Sequence, residues 1–181
     1  MSPVGSLANE NGPLAPPVIP IHNKGYAMNS IIHLYTGLTA ILNQAGSYIG
    51  LLGLRLLLAW EFWEAGIEKF NGDNWFTDIQ DAFPFPFSVV PVDLSWFLAT
   101  WTELIGAVAL LIGLGTRFFS LSLIILTIVA WASVHAGNGY NVSDNGFKLP
   151  LMYLLMFVPL LFSGPGRLSL DHWLARRFMT H

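Results

Sequence analysis

The chain contains no cysteine and little charge. None of its 181 residues is a cysteine, and charged residues make up only 10% of it. The first absence excludes thiol–disulfide catalysis, iron–sulfur ligation by this chain, a thiolate zinc site and structural disulfides. Any electron transfer then needs a bound cofactor or a partner subunit. The second absence sets the chain apart from soluble domains, which hold about 25% charged residues. Hydrophobic residues make up 54%, so composition alone places the chain in the polytopic membrane class, with the lipid bilayer as its first partner. The formal charge of −3 argues against nucleic acid as a partner. The length suits one small bundle with no second soluble domain.

Residues 1–27 carry Pro3, Pro13, Pro16, Pro17 and Pro20 and no apolar h-region. They read as a flexible tail and not as a signal peptide. A second methionine, Met28, stands where apolar periodicity begins, so these residues are either a native tail or a stretch ahead of the natural start. The membrane domain is expected over residues 28–178. Within it, residues 29–43 space Ile31, Leu34, Leu38, Ile41 and Leu42 as one helical face. That stretch is short and polar, which predicts a helix lying in the interface.

Four spans follow, at about 46–70, 94–114, 118–136 and 149–162. Between the first two lies a long connection containing the segment FPFPFSVVP. Pro84, Pro86 and Pro91 forbid a regular helix there. Its alternating phenylalanines suit a segment that folds onto the membrane surface or caps the bundle. After the last span, residues 169–178 read as a capped amphipathic helix lying on the membrane. The fold expected is an all-α integral membrane protein, a four-transmembrane-helix bundle with amphipathic interfacial helices at both ends. Lys24, Arg117, Arg167, Arg176 and Arg177 fall on one side of it, while Lys69 and Lys148 fall on the other with most of the acids. The positive-inside rule therefore puts both termini in the cytoplasm.

The first span is the unusual one. It carries Arg55, Glu61, Glu64, Glu68 and Lys69 among Leu, Ala, Phe and Trp. Each charge costs about 3 kcal/mol at the bilayer centre, so such groups face inward and pair. At 100° per residue, Arg55, Ala59, Phe62, Gly66 and Lys69 form one stripe, and Glu61, Glu64 and Glu68 a second. The small residues of the first stripe would admit a neighbouring helix closely. Glu103, the acid inside the second span, lies at the depth of Glu61. An Arg55–Glu103 pair is expected, with Glu61 or Glu64 facing a polar cavity. Arg55, Glu103 and Lys69 are the candidate catalytic groups. Trp60, Trp63 and Trp101, with Glu61, would line a flat aromatic pocket for a quinone ring. Glu64, Glu68 and His135 are a weaker candidate metal set, since no ExxH pair is present. Haem is not expected, because no second histidine lies inside a span.

Three stretches resemble the DoxX family: the series R-x3-A-x2-F-x3-G-x2-K from Arg55 to Lys69, E-L-x-G-x6-G-L-x-T-R from Glu103 to Arg117, and SGPGRLSLD from Ser163 to Asp171. Ala59 departs from the glycine the family often has, and the acidic second stripe is not part of the family pattern. The resemblance implies a four-helix protein of the bacterial inner membrane. It also implies kinship with a subunit of a thiosulfate:quinone oxidoreductase, and so a soluble or membrane redox partner. Competing readings are a small-solute or metal-ion binder or transporter, which four spans without an inverted repeat would need a homo-oligomer to build, and a non-catalytic scaffold.

Overall fold

The computed structural model describes residues 24–178, and all regular structure in them is helical. A flexible tail was expected over residues 1–27; residues 1–23 lie outside the described residues, and residues 24–27 belong to the first helix. The chain divides into two units, Met1–Thr39 and Ala40–His181. Helix α1 (Lys24–Asn71) has 48 residues and begins in the first unit. A separate interfacial helix over 29–43 was expected, but the helix runs on without a break. Nothing between Asn43 and Ser47 is a proline, and a lone glycine such as Gly46 costs only about 1 kcal/mol in a helix. In the first unit the side chains of Ile31, Leu34, Tyr35 and Leu38 are exposed.

The second unit holds α2 (Val92–Ile112), α3 (Thr116–Ala130), α4 (Lys148–Ser163) and α5 (Leu170–Phe178). Three helical stretches are long and apolar enough to cross a membrane: Ile31–Asn71, Val92–Ile112 and Thr116–His135. The connection from α1 to α2 makes only short 3-10 turns, at Trp75–Asp78, Gln80–Ala82 and Phe87–Val89, as its prolines require. Leu58, Ala59 and Phe62 of α1 meet Ala107 and Leu110 of α2, Leu123 of α3, and Phe157 and Leu160 of α4 in one core. The first stripe is the buried face of α1: Ala59 and Phe62 are each 5% exposed, and a Cβ on Gly66 would lie 2.8 Å from Leu104.

The helix ends are tied together at one place. The last four carbonyls of a helix have no partner within it, and in hydrocarbon an unsatisfied carbonyl costs several kcal/mol. Buried Arg55 supplies two of those of α2. Its Nε donates to the Leu110 carbonyl at 2.8 Å, and Nη2 donates to that of Leu111 at 3.0 Å. Its Nη1 donates to the carbonyls of Pro165 and Leu168 at 2.9 and 2.7 Å. The positive charge also suits the C-terminal end of a helix dipole. Asp171 does the converse for α3: its two carboxylate oxygens accept from the N–H groups of Gly115 at 2.8 Å and Thr116 at 3.1 Å. Its own N–H donates to the Gly113 carbonyl at 3.0 Å. Arg117 Nη2 donates to Phe162 at the end of α4, at 3.2 Å. Gly113 has φ of +72°, and a Cβ there would sit 2.7 Å from Arg55 Nη2. All three sequence series that resemble the family therefore converge on this clasp.

Removing Arg55 as Arg55→Met is expected to cost about 3 kcal/mol or more, since it strands several buried carbonyls. Asp171→Asn, which keeps one acceptor for the α3 cap, is expected to cost about 1 kcal/mol. Thermal unfolding in mild detergent checks the order, and an Arg55→Met variant as stable as wild type would contradict this role.

Candidate functional site

At the other end of the α1–α2 packing, the close approach at Gly66 brings α2 against α1 beside Glu103. Glu103 Cβ lies 3.2 Å from where a Cβ of Gly66 would be. Lys69, one turn on, reaches it: Nζ donates to Glu103 Oε1 at 2.9 Å. The side chains are 15% and 3% exposed, respectively, so the pair is nearly removed from solvent. The expected Arg55–Glu103 pair is not formed. Glu103 faces Gly66, and Arg55 is three helical turns back along α1, roughly 16 Å away. Of the three candidate catalytic groups, the structure brings together Lys69 and Glu103 and commits Arg55 to the clasp.

The pair closes one wall of a cavity of about 320 Å³. Its other walls are mainly apolar, with Ser95, Thr102, Ser122 and Ser133 among them. Trp75, Phe76, Ile79, Phe83 and Phe87 come from the α1–α2 connection, Leu98 and Ala99 from α2, and Ile125, Leu126 and Val129 from α3. Ala130, Ser133 and Val134 close it where α3 widens into a π-turn, Trp131–His135. Such widened turns are frequent at functional sites. Few polar groups point inward. Among the described residues, Glu103 Oε2 and Ser95 Oγ are buried and lack a hydrogen-bond partner, and both residues line the cavity. Aromatic edges stabilise the lining: Phe76 packs edge-on to Phe83 at 5.1 Å and to Trp96 at 5.0 Å.

The remaining candidates lie elsewhere. Trp60 and Trp63 are 66% and 44% exposed, pointing away from the buried stripe. Trp101 packs on Phe70 and Phe97 instead of the cavity. The aromatic lining of the cavity comes instead from Trp75, Phe76, Phe83 and Phe87 of the α1–α2 connection. Glu61 and Glu64 do not line the cavity either. Glu61 accepts a hydrogen bond from the Tyr153 hydroxyl, which ties α1 to α4. Glu64 and Glu68 are exposed, while His135 Nδ1 lies 2.7 Å from the Asn145 carbonyl. Among the described residues no group of three or more His, Asp or Glu side chains is placed to hold a metal ion. Glu64 and Glu68 of the second stripe face outward because the first stripe faces the core, while half-buried Glu61 turns to α4. Ser95 and the loop aromatics were missed in the sequence. Their one signal was the Phe–Pro alternation in a long connection.

The DoxX family model matches residues 50–136. A protein of Haemophilus influenzae described only as uncharacterized is 53% identical over 135 residues, 75% of this chain and 89% of that one. A second uncharacterized protein of the same organism is 34% identical over 73 residues, 39% of this chain and 54% of that one. No solved structure matches.

Breaking a buried ion pair strands a charge, whereas replacing both partners by apolar groups is often tolerated. Lys69→Met is therefore expected to destabilise by about 3 kcal/mol, and Lys69→Met/Glu103→Leu to return within about 1 kcal/mol of wild type. Thermal unfolding of Lys69→Met, Glu103→Leu and the double variant checks this, and a double variant that loses the sum of the two single losses would contradict the pairing.

Proposed function

The chain belongs to the DoxX family, and from that premise we propose that it is the membrane subunit of a quinone-linked oxidoreductase, with the Lys69–Glu103 cavity as its quinone site. The observation that carries the reading is the character of the cavity: an aromatic and aliphatic chamber with one buried ion pair and two unpartnered polar atoms. A flat ring with carbonyl oxygens and an apolar tail needs donors at one end and apolar walls elsewhere. Lys69 Nζ and the Ser95 hydroxyl are such donors. Trp75, Phe76, Phe83 and Phe87 offer the walls. An inorganic ion or a sugar would want a more polar lining, which disfavours the transporter reading.

A quinone held here would supply the two-electron, two-proton acceptor that this cysteine-free chain lacks. The chain's own groups would orient and protonate. Lys69 Nζ, which holds Glu103 in place, would be a hydrogen-bond donor to such a ring. Glu103 Oε2 is free to take up or release a proton. The 3-10 turns of the connection keep water from the ring. A redox partner would carry the primary centre. In the membrane the fold is read as a four-span bundle of the bacterial inner membrane. The 16-residue α4 supplies the fourth crossing, α5 lies on the surface, and both termini are cytoplasmic.

Mass spectrometry of mildly solubilised protein is expected to find quinone in wild type and to find it depleted in Glu103→Gln. A wild type without quinone, or equal quinone in both, would contradict the assignment, and a stoichiometric metal would favour the ion-binding reading. The lack of cysteine makes topology directly testable. Asp144→Cys should label with an impermeant maleimide in intact cells, and Phe178→Cys only after permeabilisation. Labelling of both from the same side would contradict a fourth span.

A further inference from the structure

At the clasp end, the start of α3, the α4–α5 turn and α5 surround an open cleft of about 470 Å³ lined by Arg117, Arg167, Asp171 and His172. Its charge is not balanced by the protein. Asp171, the acid in its lining, spends both oxygens on the α3 N–H groups. Among the described residues neither Arg117 nor Arg167 forms an ion pair. Each guanidinium is held in place from one side only. Arg117 donates one bond to the Phe162 carbonyl. Arg167 donates one to the Tyr48 hydroxyl at 2.9 Å and lies over that ring at 5.2 Å. An arginine has five N–H donors, so both present several more to whatever enters. Arg176 and Arg177 follow on α5. Phe118, in the lining of the cleft, is 68% exposed.

We propose that this cleft binds the phosphodiester headgroup of an anionic glycerophospholipid of the inner leaflet. Paired arginines with free N–H donors match phosphate oxygens. The exposed Phe118 in its lining gives an apolar edge along which an acyl chain lies, which a free phosphate ion would not use. Basic pockets between helices on the cytoplasmic side are a recurrent way to hold such headgroups. Occupancy would bridge α3 to the α4–α5 turn and reinforce the clasp from outside.

The test is native mass spectrometry of the full chain released from vesicles of equal phosphatidylglycerol and phosphatidylcholine. Each arginine near an anionic headgroup is worth about fivefold in affinity, so wild type should retain phosphatidylglycerol at least about fivefold over phosphatidylcholine. Arg167→Gln, with Arg117 left in place, should lose about fivefold of that preference, and Arg167→Lys should fall between. Arg117→Gln also removes the bond to α4, so Arg167 carries the test, with size-exclusion profile and helical content as fold controls. No preference in wild type would overturn the proposal, as would an unchanged preference in Arg167→Gln. So would millimolar inorganic phosphate raising the unfolding temperature of delipidated protein as much as phosphatidylglycerol does, since the ligand would then be the free ion.

Discussion

The structure depends on what becomes of the carbonyls at the end of a helix when no water is near. Helix α2 ends inside the bundle with Leu110 and Leu111 unpaired within the helix, and the guanidinium of Arg55 supplies both while holding Pro165 and Leu168. One side chain of α1 thus fixes the end of α2 and the turn after α4. Asp171 then caps α3 from the same turn. The route needs a residue without a Cβ at Gly113, both for its positive φ and for the space the guanidinium takes. A cation here is a helix cap, and its cost in hydrocarbon is offset by the carbonyls it satisfies.

This assignment divides the charged residues of α1 by depth. Arg55 belongs to architecture. Lys69, roughly 21 Å further along the helix, belongs to the cavity, where its pair with Glu103 leaves one carboxylate oxygen without a partner. The end at Arg55 is tied by hydrogen bonds to several carbonyls, and the end at Lys69 is hollow and lined by aromatic side chains. The α1–α2 connection gives the hollow its lid, through residues that pack on each other edge-on.

Much of this was legible in the sequence, and the misses have physical causes. The stripe Arg55, Ala59, Phe62, Gly66, Lys69 was legible because helical periodicity fixes which residues share a face. Which group on that face meets which group on α2 was not, because periodicity says nothing of register between helices. Arg55 was therefore assigned the wrong partner. The aromatic lining was misplaced for a related reason. Trp60 and Trp63 are in the right helix on the wrong face. Trp75, Phe76, Phe83 and Phe87 lie in an irregular segment whose path no period reveals. The continuity of α1 through Asn43–Ser47 was not legible because the polarity of residues 29–43 suits a separate interfacial helix, though no residue at the junction stops a helix. The role of Asp171 was hidden because a cap supplied from another helix leaves no local pattern.

The central claim is that Lys69 and Glu103 form the polar end of a ligand site, while the fold rests on Arg55. The most direct measurement is a titration of purified protein with a short-chain quinone, followed by tryptophan fluorescence, since Trp75 lines the cavity. Wild type should show saturable quenching. Lys69→Met/Glu103→Leu, with the same helical content, should show only the linear quenching of quinone dissolved in detergent. Saturable quenching of equal affinity in that double variant would contradict the account.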